Sequence, residues 1–75
     1  MGRCLKDVKV GEEVKIVLID LTNKNLEKQL QNLGFLKGEK IKVMKINYGD
    51  KARLVKVFGV NYIIDSIIVQ GIFVE

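Results

Sequence analysis

The sequence has no histidine and a single cysteine, Cys4. Without histidine, the commonest general base and the commonest transition-metal ligand are both missing. Zinc sites of the Cys/His type cannot be assembled from what remains. One cysteine excludes an internal disulfide and fits a reducing, cytoplasmic setting. Cys4 reads as a small residue near the N-terminus, not as a reactive thiol, which needs an electropositive, activated setting. Long apolar runs are also lacking. The longest, 60–74, is broken by Asn61, Asp65, Gln70 and Gly71 and falls short of the roughly 18 to 20 residues of a membrane helix. The start, MGRCLK, has no basic-then-apolar leader, and Lys6 stands where N-myristoylation uses a hydroxyl residue. The nine acidic residues are scattered and show no EF-hand spacing. The expectation is a chain that neither spans a membrane nor catalyses a reaction, with no cofactor and no resident metal.

What is present suits a folded unit. The 75 residues are 48% hydrophobic, enough for one small domain over residues 1–75 with a thin core. Leu5 and Val8, three apart and followed by Gly11, read as a lead-in turn and a bend. VKIVLID (14–20) is β-branched and reads as a strand; strict alternation puts Val14, Ile16 and Leu18 on one face, Val17 and Ile19 on the other. Thr22, Asn23 and Asn25 are helix N-cap candidates. Leu26, Leu30 and Leu33 recur at i, i+4 and i+7, the stripe of an amphipathic helix, with Lys24, Lys28, Gln31 and Asn32 on the wet side. Gly34 can end this helix in the left-handed conformation, and Phe35 can fold back on its last turn. Gly38 marks a turn of positive φ.

The rest alternates between strands and turns. KIKVMKI (40–46) places Ile41 and Val43 inward and Lys40 and Lys42 outward, then slips phase near Val43 as a β-bulge would. A hairpin is expected with Gly49–Asp50 at its tip. ARLVKVF (52–58) returns, with Val55 and Val57 on one face and Leu54, Lys56 and Phe58 on the other, and Gly59 breaks it. VNYII (60–64) is a further strand. Residues 65–71 hold one helical turn, capped by Asp65 or Ser66 and ended by Gly71. Ile72 and Val74 face inward on a last strand. The fold class is mainly β: five short strands, one α-helix inserted after the first strand, and a short helical turn before the last. Curling into a barrel would spare such a chain its open edges.

In order, Leu5, Val8 and Gly11, then Leu30, Leu33, Gly34 and Gly38, then Ile41, Val43, Val55, Val57 and Gly59, and finally Ile64, Val69, Ile72 and Val74 form a pattern that resembles the FeoA-like family. The match runs over nearly the whole chain. The resemblance implies an SH3-like barrel. It also implies an accessory role toward a membrane ferrous iron permease with a cytoplasmic GTP-binding domain. Similar barrels form the third domain of iron-dependent repressors, whose winged-helix and metal-sensing parts this chain lacks. Two departures stand out. Lys37 precedes Gly38 where the family often has proline, and Asp65 stands where it often has arginine, so a partner contact made by that arginine cannot be transferred.

The candidate sites are surfaces. GFLKGEK has no hydroxyl residue and follows a helix, so it is no phosphate loop. Lys37, Lys40, Lys42, Lys45, Lys51, Arg53 and Lys56 crowd the middle third against Glu39 and Asp50. This stretch reads either as a solvated face or as a surface for an acidic protein or an anionic membrane. Leu54 and Phe58 project on the Lys56 side. They are either covered by the helix or a loop, or they form a partner-binding patch with Lys56, Lys40 and Lys42. Gly34, Phe35, Gly38 and Gly59 are structural turn and cap residues. The leading reading is a non-enzymatic adaptor of a ferrous iron transporter that favours one conformational state of its partner. The alternative is a small nucleic-acid-binding β-barrel, for which Tyr48 is the sole aromatic ring in the basic stretch. A direct iron-binding chaperone is the weakest reading, given the missing histidine.

Overall fold

The computed structural model describes residues 3–47, 49 and 51–75. Six strands form among them, in the sheet order β1-β6-β2-β3-β4-β5. They are β1 (Arg3–Cys4), β2 (Glu13–Ile19), β3 (Lys40–Asn47), β4 (Ala52–Val57), β5 (Val60–Asp65) and β6 (Ile72–Val74). Helix α1 (Lys24–Asn32) follows β2, and the short α2 (Ser66–Gln70) precedes β6. The strand beyond the five expected is β1. Its two residues pair with β6, Arg3 opposite Val74 and Cys4 opposite Phe73, too short a stretch to carry an alternation signal. All the ladders are antiparallel, and none joins β1 to β5 among the described residues. The expected hairpin tip includes Asp50, which lies outside the described residues, as does Tyr48; Gly49 has φ 63°.

Two bulges set the faces. In β2, the register shifts between Ile16 and Leu18. Val14, Ile16 and Ile19 are buried, while Leu18 is exposed. Strict alternation placed Leu18 inward and Ile19 outward; the extra residue at Val17 reverses the phase there, as one slipped residue must. In β3, the expected slip is present between Val43 and Lys45, with Ile41 and Val43 fully buried. β2 is shared. Glu13–Lys15 pair with β3 and Ile16–Ile19 with β6, so a single strand turns the sheet around the core.

Helix α1 starts at Asn23, whose side chain accepts from the Leu26 N–H at 3.1 Å. It ends in a Schellman motif: the Phe35 N–H reaches the Leu30 carbonyl and the Gly34 N–H the Gln31 carbonyl, each at 3.0 Å. Gly34 supplies the φ of +109° this ending requires. Phe35 is fully buried with Leu30, and Leu26 packs at the margin of the same core. Leu33, expected on the buried stripe, is instead half exposed. It is the C-cap, where the chain already turns off the helix axis, and Phe35 takes the core position it would have filled.

The closing turn matches its reading. Asp65 caps α2 by accepting from the Ile68 N–H at 3.0 Å, and Gly71 ends it. Gly71 also allows a close approach, since a Cβ there would lie 2.3 Å from Leu21 Cδ2 and 2.8 Å from the Asp20 carbonyl oxygen.

Arg53 corrects the sequence reading. It was counted with the solvated basic residues, yet it is only 2% exposed. Its Nη1 donates to the carbonyls of Leu5 and Val8 at 2.9 Å, and its Nη2 to that of Lys6 at 2.6 Å. The planar guanidinium fork suits three converging carbonyls. It fixes the 3₁₀ turn Leu5–Asp7 against β4.

Candidate functional site

The β4–β5 hairpin closes with Val57 opposite Val60, which leaves Phe58 and Gly59 as a two-residue loop. Their φ values are 54° and 79°, the positive pair that characterises a type I′ turn. The first of these positions ordinarily takes Asn, Asp or Gly. A bulky aromatic residue held there carries a strain on the order of 1–3 kcal/mol. β4 therefore stops at Val57, one residue earlier than expected, and Phe58 is a loop residue. Phe58 is 76% exposed, so burial within the chain does not offset the strain.

Phe58 separates two neighbouring surfaces. On one side it meets the end of α1, where a Cβ built on Gly34 would lie 3.6 Å from the Phe58 Cβ. Leu33 and Leu36, the residues flanking Gly34–Phe35, are each 48% exposed, and Val60 beyond the turn is 49% exposed. The helix end is fastened from below. Tyr62 of β5 donates its hydroxyl to the Leu33 carbonyl at 3.3 Å, and its ring meets Phe35 edge-on with centroids 5.2 Å apart.

On the other side Phe58 walls a groove of about 530 Å³. Lys40, Lys42 and Met44 of β3, Lys56 of β4, and Gly59 line it, together with Glu13, Gly38 and Glu39. Two cross-strand registers are like-charged: Lys42 lies opposite Lys56, and Lys15 opposite Lys40. Like charges directly opposite destabilise a sheet. Among the described residues, none of these lysines is in an ion pair. Glu13, in register with Lys42, forms no ion pair either.

The described ion pairs lie elsewhere. Arg3 pairs with Glu12, and Lys24 with Asp20 and Glu27. The Arg3 guanidinium, helped by the Lys9 N–H, holds the Glu12 carboxyl below its ordinary range. The Leu21 N–H, with Lys24, does the same for Glu27. Among the described residues, no group of three or more Cys, Asp or Glu side chains could hold a metal ion, and no helix is long and apolar enough to cross a membrane.

Of the residues expected in a surface patch, the fold brings Lys40, Lys42, Lys56 and Phe58 into one groove. Leu54 is not among its lining residues. It is half-buried on the outward face of β4, opposite Lys45 and Ile63. Gly34, Gly38 and Gly59 all have positive φ, as a turn and cap role requires. The sequence reading missed Met44, Glu13 and Glu39 as groove residues and the strain at Phe58. One signal was available: Phe58-Gly59 between Val57 and Val60 has the length and the glycine of a type I′ hairpin, with Phe where Asn is usual.

The FeoA domain model matches residues 3–75. No curated protein sequence matches the chain. Solved structures are similar throughout. The FeoA protein from Chlorobium tepidum has a TM-score of 0.89 at 20% identity, over 97% of this chain and 69% of that one. The FeoA of Stenotrophomonas maltophilia in complex with zinc has a TM-score of 0.84 at 19% identity, over 100% and 89%. That protein is described as a unique procaryotic SH3 domain and is put forward as a bacterial ferrous iron transport activating factor. A manganese-dependent transcriptional repressor in complex with manganese aligns with a TM-score of 0.88 at 16% identity, over 99% of this chain and 36% of that one. These likenesses establish an SH3-like fold. With its family pattern matched from Arg3 to Glu75, the chain belongs to the FeoA family, which is associated with ferrous iron transport.

Proposed function

We propose that the chain is a non-enzymatic, cytoplasmic accessory of a membrane ferrous iron permease and docks on the permease's cytoplasmic GTP-binding part. The observation that carries the reading is Phe58, a strained and exposed aromatic at a hairpin tip between an apolar helix end and a lysine groove. Strain kept at an exposed position is a mark of function, and aromatic residues are enriched at the centres of interfaces. Docking regulates transport to the extent that the surface favours one conformational state of the permease over another.

Binding of the isolated chain to the permease's soluble GTP-binding domain, followed by calorimetry, tests this. Phe58→Ser is expected to weaken binding at least about tenfold, as loss of a central aromatic anchor does. Leu54→Ser, outside the groove, is expected to leave binding nearly unchanged. Undetectable binding of the unaltered chain, or no effect of Phe58→Ser in a folded variant, overturns the reading.

A further inference from the structure

We infer that the groove beside Phe58 takes an extended acidic peptide segment of a partner protein. The segment's carboxylates would lie over Lys40, Lys42 and Lys56, with an apolar side chain against Phe58 and Met44. This deepens the docking reading and uses the same site.

The charge arrangement carries the argument. Lys42 and Lys56 are cross-strand neighbours on the outward face, and both line the groove. Lys15 faces Lys40 one row further along. A sheet selected for stability alone would alternate signs at such positions. Here two like-charged pairs lie in adjacent rows, with Glu13 beside Lys42 on the β2 side only, and an anion placed among Lys40, Lys42 and Lys56 lowers the repulsion between them. The groove is concave, with a volume of about 530 Å³, which suits a chain segment and not the flat surface of a bilayer. Its lining also includes two carboxylates, Glu13 and Glu39. A nucleic acid bears one charge per nucleotide and would bring phosphates against both. A peptide can space its acids over the lysines and turn backbone N–H groups toward the glutamates. Phe58 and Met44 give it an apolar anchor.

The test needs no permease. The full chain is titrated calorimetrically at low ionic strength with a blocked hexapeptide of alternating Glu and Leu, and with its Gln-for-Glu counterpart. The Glu peptide is expected to bind more tightly by about tenfold or more, with an advantage that shrinks as salt is added. Lys56→Glu places opposite charges across the strands. It is expected to raise the thermal midpoint and yet weaken the Glu peptide at least about tenfold, a combination that unfolding cannot produce. Should that variant fold poorly, Lys56→Gln removes one charge and gives the same reading. Lys28→Glu, on the wet face of α1, is expected to leave affinity unchanged. The inference is overturned by no binding of the Glu peptide, by equal binding of the two peptides, or by unchanged affinity in the Lys56 variants. It is also overturned if a single-stranded oligonucleotide or a phosphatidylserine vesicle binds this groove more tightly. A chain that binds the peptide but not the GTP-binding domain retains the inference and loses the docking reading; the opposite outcome reverses this.

Discussion

Gly34 and Phe58 meet where the end of α1 touches the tip of the β4–β5 hairpin, 3.6 Å separating the Phe58 Cβ from the place a Gly34 Cβ would occupy. Both residues have positive φ, but only the glycine adopts it without strain. Replacing Phe58 with Asn, the favoured residue of a type I′ turn, is expected to stabilise the fold by about 1 kcal/mol. Urea denaturation would measure it. The same variant should bind the GTP-binding domain less tightly, so stability and docking move in opposite directions.

Arg53 gives the opposite case, a buried residue whose loss is felt far along the chain. Arg53→Met leaves the carbonyls of Leu5, Lys6 and Val8 without the guanidinium. The expected loss is about 3 kcal/mol or more, since hydrogen bonds to charged groups are worth about 1.5–3 kcal/mol each and buried acceptors are left unmet. Hydrogen exchange should accelerate at the Val8 N–H, which closes the 3₁₀ turn onto Leu5. Arg53→Lys should recover only part of the loss, because one ammonium cannot reproduce the fork. Equal stability of Lys and Arg at this position would contradict the assignment.

Gly71→Ala tests close packing apart from backbone conformation, because φ at Gly71 is −96° and suits any residue. The new methyl group would press on the buried Leu21 side chain and on the Asp20 carbonyl, whose backbone is tied to Gly71 by the Asp20 N–H donating to the Gly71 carbonyl at 2.8 Å. Overpacking of this kind costs about 1–3 kcal/mol, to be read from the denaturation midpoint.

The helix caps are smaller levers. Asn23→Ala and Asp65→Ala each remove a side-chain acceptor for a first-turn N–H and should each cost about 1 kcal/mol. The two sites lie on separate helices, so the double variant should show additive losses.

Acid should destabilise the fold in a defined way. The Glu12 and Glu27 carboxyls are held below their ordinary range in the folded chain, by Arg3 and by the Leu21 N–H respectively. Their contribution is present in full above the unfolded value of about 4.3 and is lost as pH falls through the lower folded values. Thermal midpoints measured from about pH 6 down to about pH 3 should therefore fall, and Glu27→Gln should flatten the decline. Both carboxylates are at the surface, so the effect should be small and reduced by salt.

Much of this molecule is legible in its sequence because the signals are local. Alternation at Ile41 and Val43, the bulge that follows, the cap at Asn23 and the αL ending at Gly34 all depend on residues a few positions apart. The misreadings share another cause. Leu18 and Leu33 are apolar and in phase with their neighbours, but a bulge and a helix end put them outside, and neither event leaves a mark on the hydrophobic pattern. Arg53 looks like any surface cation until the turn at Leu5–Asp7, some 46 residues earlier by its numbering, is brought beneath it. The groove was partly legible. Lys40, Lys42, Lys56 and Phe58 could be grouped by strand parity, whereas Glu13 joins them only through the register of β2 against β3.

The position of β6 between β1 and β2 also bears on how the protein is made. Synthesis delivers β1 and β2 first and Ile72–Val74 roughly 50 to 70 residues later, so two early strands wait for the segment that joins them. Until it leaves the ribosome, the inner edge of β2 stays open and the turn held by Arg53 has no roof. The closing pairings are the most distant in sequence, so the last step of folding is also its slowest kind of contact. Sheet completion should therefore follow the emergence of Ile72–Val74, not precede it.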